Sequence, residues 1–217
     1  MNKSAGRYHI PVVPPTSRYT IDCNIQFFPD ALKIAGTEVV RLRNNSSASI
    51  YRLAVDWPLG SDQTLEVRIG KKTVRRLSSS EQVTPSLPIT LELPKTLSPG
   101  KENEITFNYS QTLSTHGNQD KITLTRWHPR LWWDLPAHDD FHVKIEAPSG
   151  YILATSGLLD RKSGYYRGEG IRSFGLFLAR GLHVLESNAG GTLARCLFTA
   201  KGTECARLLL DTAVDVI

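Results

Sequence analysis

Features that mark several protein classes are scarce in this sequence or missing from it. The three cysteines, at positions 23, 196 and 205, are too few and too far apart for a disulfide framework or a zinc knuckle. Each is predicted to be a buried free thiol, because an unpaired cysteine packs as a small hydrophobic residue. No stretch of 18 or more apolar residues occurs, so no transmembrane helix is predicted. The first residues contain no apolar signal-peptide core, and the cellular compartment stays unknown.

Short motifs of the common enzyme classes are missing as well. The sequence contains no H-E-x-x-H zinc helix, no G-x-S-x-G nucleophile elbow and no phosphate-binding G-x-x-x-x-G-K-[ST] loop. The glycine pair at 168 and 170 has neither a third glycine nor a following helix, so it is not a dinucleotide site. No catalytic residue, metal ligand or cofactor-binding residue is therefore predicted in this chain.

The charge of the chain does not indicate a nucleic-acid partner. The 217 residues carry a net charge of +5, and the densest basic cluster, residues 71–76, follows Gly70. That spacing predicts the tip and return strand of an exposed hairpin. No aromatic stacking motif accompanies the cluster, so we predict a solvated hairpin rather than a nucleic-acid interface.

Alternating apolar and polar residues dominate the chain. With 40% hydrophobic and 22% charged residues, the composition is that of a soluble globular protein. Period-two alternation places one face of a strand on a core and the other in water, and it recurs around residues 19–24, 65–69, 89–93, 105–109 and 141–145. Many short strands separated by turn residues predict an all-β fold, an antiparallel sandwich or open saddle.

Only the C-terminal end is predicted to be helical. Its apolar residues recur at steps of three and four, which makes one continuous stripe: Ala206, Leu209, Leu210, Ala213, Val214 and Ile217. No glycine, asparagine or proline stop follows the stripe, so the helix is expected to need a packing partner beyond it. We interpret the chain as the front module of a longer protein.

Three tryptophans form the densest aromatic patch. Trp127, Trp132 and Trp133 lie close together in the sequence, beside His128 and Arg130. Core packing is one interpretation, because large aromatic side chains bury most of their surface in such folds. The alternative is a surface that faces a substrate or a partner, for example by stacking on sugar rings.

The histidines at 138 and 142 imitate the spacing of a zinc helix. Two histidines four residues apart converge on one ion only when they lie on a helix. Here Pro136 precedes the pair and residues 141–145 alternate like a strand, on which the two side chains would stand roughly 13 Å apart. We therefore predict a polar turn that enters a strand, and no metal site.

A series of weak motifs appears in a fixed order along the chain. The series consists of RYTID at 18–22, IAGTEV at 34–39, NNS at 44–46, LELP at 91–94, LSPG at 97–100, WDLP at 133–136, the strand at 141–145 and APSGY at 147–151. In this order the motifs resemble the N-terminal β-domain of the aminopeptidase N-type zinc metallopeptidases, the gluzincin group. Trp132 and Trp133 replace the cysteine region usual there, which indicates a divergent member.

The resemblance implies a division of the chain into three parts. Residues 1–17, which include Pro11, Pro14 and Pro15, would form an extended arm, residues 18–201 the β-domain, and residues 202–217 the first helix of a catalytic domain that the chain lacks. The family's H-E-x-x-H and G-x-M-E-N motifs do not occur. The glutamine or glutamate by which the family's β-domain anchors the substrate's amino end has no convincing match, although Gln111 and Gln119 are near.

By this resemblance the chain would be the non-catalytic domain that forms one wall of a peptide-binding cleft. Its partners would be its own downstream catalytic domain and a peptide substrate, and zinc in that domain would activate the water that removes N-terminal residues. Two alternatives remain open at this point. The chain could be a stand-alone β-sandwich that binds carbohydrate or protein through its tryptophans, or its parent could have lost the zinc ligands.

Overall fold

The computed structural model describes residues 14–57, 61–78, 88–115, 120–133, 137–189 and 192–215. Eight strands form the main sheet: β1 (Thr16–Phe28), β2 (Ala31–Arg43), β4 (Ser61–Ile69), β5 (Lys72–Ser78), β7 (Glu102–Ser114), β10 (Asp139–Glu146), β12 (Leu158–Asp160) and β13 (Tyr165–Ile171). Their order is β12-β13-β10-β1-β2-β7-β4-β5. Most of the arm predicted for residues 1–17 lies outside the described residues, and Thr16 and Ser17 already belong to β1.

Smaller sheets complete the fold. One sheet has the order β6-β3-β9, from β3 (Ile50–Asp56), β6 (Ile89–Leu97) and β9 (Arg130–Trp132). Another has the order β11-β14-β8, from β8 (Lys121–Leu124), β11 (Ile152–Thr155) and β14 (Leu176–Ala179). The last elements are the hairpin of β15 (His183–Ala189) and β16 (Thr192–Phe198), the 3-10 helix Ala200–Gly202 and α1 (Thr203–Asp215).

The predicted all-β sandwich with a C-terminal helix is confirmed. One face of the main sheet shares a hydrophobic core with the two three-stranded sheets, and the strands alternate buried and exposed residues as their sequences indicate. One pairing departs from the predicted antiparallel pattern, because β1 and β10 run parallel, with Tyr19 opposite Phe141. None of the helices among the described residues is long and apolar enough to cross a membrane.

A buried asparagine joins two of the sequence motifs in space. The side-chain amide of Asn44 donates to the carbonyl oxygens of Ala48, at 2.8 Å, and Leu97, at 2.9 Å. Its side-chain oxygen accepts from the backbone N–H and the hydroxyl of Ser46. Both groups of this buried amide are therefore satisfied, and Asn44 stabilises the start of the loop after β2 against the end of β6.

The predicted basic hairpin is present between β4 and β5. Gly70 forms its tip with a φ of 58°, a left-handed conformation that favours glycine. Lys71 and Lys72 are exposed there, and Arg75 follows on the return strand. The hairpin lies at one edge of the main sheet, so these cations face water.

The C-terminal helix packs on the last hairpin. The contacts of α1 are mainly with β15 and β16, and they bury Ala206 and Leu210, two members of the predicted stripe. Leu209, a third member, is 58% exposed, and Leu208 beside it is 68% exposed. The prediction of buried thiols is correct for Cys23 but wrong for Cys205, which is exposed on this helix, and Cys196 is half-buried. The division of the chain near residues 201 and 202 stays a prediction, since β15, β16 and α1 form one group of contacting elements.

Candidate functional site

The predicted tryptophan patch separates into a buried part and an exposed part. Trp127 is fully buried, and its indole N–H donates to the carbonyl oxygen of Phe174 at 2.8 Å. Its ring packs edge-on against the rings of His128 and Phe174. Trp127 therefore belongs to the core and not to a surface, because its one polar atom already has a partner and its ring touches only protein.

Trp132 is the exposed member of the patch. It lies on β9, an edge strand, with 43% of its surface accessible, and it is opposite Ala54 on β3. Because paired residues of antiparallel strands share a face, the small side chain of Ala54 leaves one side of the Trp132 ring open. Trp133 is half-buried, and its indole N–H is buried without a hydrogen-bond partner.

Ion pairs flank Trp132 along the same face of this sheet. On one side Asp56 lies opposite Arg130 and forms ion pairs with the guanidinium groups of Arg126 and Arg130. On the other side Arg52 donates to Glu92 at 2.9 Å. The result is an aromatic platform between two sets of hydrogen-bonding charged groups, an arrangement that can stack on a planar or apolar ring and hold its polar edges.

The segment that carries Trp132 is tied to the main sheet by a buried hydrogen bond between a histidine and a glutamate. His128 and Glu38 are both buried, and Nδ1 of His128 lies 2.9 Å from Oε2 of Glu38 and 2.9 Å from the carbonyl oxygen of Pro129. A carbonyl oxygen only accepts, so Nδ1 carries the hydrogen and donates. Burial raises the pKa of Glu38, while the neighbouring His128 opposes that rise.

Two further side chains of the main sheet hold the same segment. The amide of Gln111 on β7 donates to the carbonyl oxygen of Trp127 at 2.9 Å, and the hydroxyl of Tyr19 on β1 accepts from the backbone N–H of Leu131 at 3.1 Å. Burial, followed by the charges of Asp139 and Glu38, raises the pKa of Tyr19 well above its usual value. Its hydroxyl therefore stays neutral, and residues 127–131 are fixed at three points.

The histidines at 138 and 142 do not form a metal site in the structure. His142 lies on β10, as the alternation predicts, and His138 lies before this strand with its Nδ1 2.8 Å from the carbonyl oxygen of Gly170. Across the described ranges, no group of three or more histidine, cysteine, aspartate or glutamate side chains could hold a metal ion. His138 and His142 therefore do not fit zinc.

The aspartate beside His138 has a structural role. Asp139 is buried at the start of β10 and accepts a hydrogen bond from the backbone N–H of Ser17 at 3.1 Å. Burial raises the pKa of Asp139 to about 6, while the hydrogen bond from the backbone N–H of Ser17 and the charge of Arg130 oppose the rise. Its carboxylate joins β10 to β1 where their parallel pairing begins.

Sequence reasoning missed the buried polar residues that support the site. Glu38 lies inside the IAGTEV motif and stands where the alternation of β2 calls for an apolar residue, between Ile34 and Val40. A single charged residue in an inward position is a signal that could have found it. Gln111 was considered only as a substrate anchor, and Gln119 lies outside the described residues, as does Asp134 of the WDLP motif.

Comparisons with known proteins identify structures with this fold. A mutant of a two-domain M1 zinc metallopeptidase bound to L-arginine matches with a TM-score of 0.55 and 15% identity, over 89% of this chain and 51% of that chain. An M1 zinc metallopeptidase from Deinococcus radiodurans matches with a TM-score of 0.52 and 16% identity, over 85% of this chain and 47% of that chain. No family model and no curated protein sequence matches the chain.

These matches show the fold of the chain. They agree with the sequence resemblance, because the structural neighbours and the ordered motifs both point to zinc metallopeptidases. The chain spans about half the length of these neighbours. The other half of each neighbour has no counterpart in this sequence.

Proposed function

We propose that this chain is the non-catalytic β-domain of a zinc aminopeptidase-like metallopeptidase, and that it forms one wall of the peptide-binding cleft. The observation that carries the proposal is the structural match over 89% of this chain to about half of an M1 zinc metallopeptidase. The ordered motifs, which resemble the N-terminal β-domain of the aminopeptidase N-type zinc metallopeptidases, support it. The parent protein would remove N-terminal residues from peptides. Its downstream catalytic domain would be the main partner of this chain.

The exposed edge at Trp132 is the part of this domain that we assign to the cleft. A cleft wall has to keep its shape when a peptide arrives, because small displacements of positioning groups cost much of the rate. Residues 127–131 meet that requirement, since Glu38, Gln111 and Tyr19 hold them from three strands of the main sheet. Trp132 then presents an apolar ring, and Arg130 and Asp56 supply polar groups beside it.

Zinc would belong to the rest of the parent protein. The described histidines are engaged elsewhere or lie on a strand, so no step of zinc chemistry is assigned to residues of this chain. The contribution of this domain would be to orient the peptide and to exclude water around it. A parent that has lost its zinc ligands would keep only this binding role.

The test begins with the natural gene and then uses the full-length protein. We expect the reading frame to continue past Ile217 into an H-E-x-x-H helix, and the purified protein to hydrolyse aminoacyl-coumarin substrates until a chelator removes its metal. A frame that ends at Ile217 would contradict the proposal. A frame that continues without zinc ligands, together with an inactive protein, would identify the degenerate parent.

Two matched variants test the assignment of the cleft edge. Trp132→Ala should raise the KM for peptides, because it removes the exposed ring from the wall. Phe28→Ala is the control, since Phe28 is also exposed, at 47%, but lies at the turn between β1 and β2. Equal effects of both substitutions on KM would show that Trp132 does not line the cleft.

A second candidate function rests on the same residue. Exposed tryptophan between the Asp56–Arg130 and Arg52–Glu92 pairs suits the stacking of a sugar ring with hydrogen bonds to its hydroxyls. A stand-alone glycan-binding module would bind oligosaccharides through Trp132 and lose that binding in Trp132→Ala. A glycan array probed with the 217-residue chain separates this function from the first, which expects no glycan to bind.

A further inference from the structure

Three neighbouring rows of the main sheet place polar side chains inside the core. On the inner face, Ile34 of β2 is opposite Gln111 of β7, Gly36 is opposite Tyr109, and Glu38 is opposite Phe107. The polar residues Gln111, Tyr109 and Glu38 thus occupy successive rows, and all three are buried. The middle row has no side chain on β2, because its residue is Gly36.

Trp127 and His128 are held by hydrogen bonds from the two rows on either side of the middle row. Gln111 donates to the carbonyl oxygen of Trp127, and Glu38 contacts the ring of the next residue, His128. Tyr109 occupies the row between those of Gln111 and Glu38, opposite Gly36. A Cβ atom built on Gly36 would come within 2.9 Å of the hydroxyl oxygen of Tyr109.

Four polar atoms in this region have no partner in the protein. Each is fully buried: Oε1 of Glu38, Oε1 of Gln111, the hydroxyl of Tyr109 and Nε1 of Trp57. The rings of Trp57 and Tyr109 meet edge to face with centroids 5.4 Å apart. Burial, followed by the charges of Cys23 and Glu38, raises the pKa of Tyr109 well above its usual value, so its hydroxyl keeps its hydrogen.

A cluster of this kind is rare in a folded protein unless something occupies it. Buried polar atoms are almost always hydrogen-bonded, either to protein or to ordered water. Here two of the orphaned groups accept, the carboxylate oxygen of Glu38 and the amide oxygen of Gln111. The indole N–H of Trp57 donates, and the hydroxyl of Tyr109 can do both.

The mixture of donors and acceptors decides which ligand fits. A cation would match the two oxygens but would be repelled by the N–H of Trp57, and an apolar molecule would leave all four groups unsatisfied. A water molecule donates two hydrogen bonds and accepts two, and buried waters in proteins make two to four such bonds. We propose that internal water is hydrogen-bonded to the buried polar groups of Glu38, Tyr109, Gln111 and Trp57.

This site extends the anchoring of the tryptophan-bearing segment. Water bound there bridges β2 and β7 to Trp57, which directly follows β3. Strand β3 in turn pairs with β9, the strand that carries Trp132. Tyr109, which makes no hydrogen bond to the protein, becomes a structural link between the two layers of the sandwich. The inference does not depend on the proposed peptidase role.

Tyr109→Phe tests the site, because a hydroxyl without a partner and a hydroxyl bound to water predict opposite changes in the denaturation midpoint. If the hydroxyl has no partner at all, its removal relieves an unsatisfied group and raises the denaturation midpoint. If the hydroxyl binds water, its removal breaks a hydrogen bond and lowers the midpoint, which is the result we expect. Tyr51→Phe is the matched control, since Tyr51 is 54% exposed, and its midpoint should not move.

A direct count of internal water completes the test. Oxygen-17 magnetic relaxation dispersion detects waters that stay bound for long times, and we expect the wild-type signal to fall in Tyr109→Phe and to persist in Tyr51→Phe. A high-resolution crystal structure of the wild-type chain should show an ordered water within hydrogen-bonding distance of the Tyr109 hydroxyl. An empty site in that crystal structure, or a raised midpoint for Tyr109→Phe, would overturn the inference.

Discussion

Oε2 of Glu38 lies 2.9 Å from Nδ1 of His128, and both side chains are buried between the two layers of the sandwich. Glu38 belongs to the middle of the main sheet, whereas His128 belongs to the segment that carries Trp132. A buried hydrogen-bonding group that loses its partner is costly, so Glu38 and His128 each satisfy the other in the core. The pair therefore specifies where residues 127–131 lie on the sheet.

Truncation of either member of this pair should destabilise the protein strongly. We expect Glu38→Ala and His128→Ala each to lower the free energy of unfolding by about 3–5 kcal/mol, because each leaves a buried polar partner uncompensated. Urea unfolding of both variants and of the double variant measures the coupling between them. The exposed pair Arg52–Glu92 is the control, and Glu92→Ala should cost less than about 1 kcal/mol. A negligible coupling energy would show that the pair is not what holds the segment.

Asp139 should make the stability of the protein depend on pH. Its pKa in the folded chain, about 6, is higher than the value of 3.8 expected for an ordinary aspartate. The folded state therefore binds a proton more tightly than the unfolded state, and this stabilisation is fully present below pH 4 and lost as the pH rises through 6. The contribution is on the order of 2–3 kcal/mol for a shift of this size.

The Asp139→Asn variant isolates that effect. Asparagine keeps an oxygen that can accept from the backbone N–H of Ser17, but it has no proton to lose. We expect the variant to remove this part of the pH dependence between pH 4 and pH 6 and to be at least as stable as the wild type at pH 8. Urea midpoints measured across that range provide the check, and identical pH profiles for the two proteins would contradict the shifted pKa.

Alternation along the chain was sufficient to predict the strands, but not their partners. The inward positions of β1 and β7 follow directly from residues 19–24 and 105–109, since each has period-two alternation. The parallel pairing of β1 with β10 brings Tyr19 beside Phe141, residues more than a hundred positions apart, and no local pattern encodes it. The contact between Asn44 and Leu97 has the same long-range origin, although both residues lie in motifs that sequence reasoning identified.

The candidate site was predicted only in part for a related reason. The tryptophans were found because they are clustered in the sequence, but composition does not say which ring faces inward. The ring of Trp127 faces inward, where its N–H donates to the carbonyl oxygen of Phe174, while Trp132 is exposed because it alternates with the buried Leu131 on β9. Both facts depend on tertiary contacts. The role of Trp132 and Trp133 in binding stays a prediction.

Gly36 should be intolerant of any side chain. A Cβ atom at this position would lie 2.7 Å from the backbone oxygen of Asp22 and 2.9 Å from the hydroxyl of Tyr109. The backbone of β1 would have to shift, so we expect Gly36→Ala to lower the free energy of unfolding by about 1–3 kcal/mol. At Gly202 the nearest atom to an added Cβ is 3.7 Å away, which is ordinary contact, so Gly202→Ala serves as the control. Equal urea midpoints for both variants would rule out close packing at Gly36.

The buried and exposed leucines of α1 should behave differently when shortened. Leu210 is 7% exposed and packs in the contact between α1 and the hairpin of β15 and β16, so Leu210→Ala should destabilise this unit by about 2–3 kcal/mol. Leu209 is 58% exposed, and Leu209→Ala should change the unfolding free energy by less than about 0.5 kcal/mol. Because the contacts of α1 are mainly with this hairpin, we expect Leu210→Ala to accelerate amide hydrogen exchange there and not in the main sheet. Faster exchange throughout β1, β2 and β7 would instead mean that the last hairpin and helix unfold together with the sandwich as one cooperative unit.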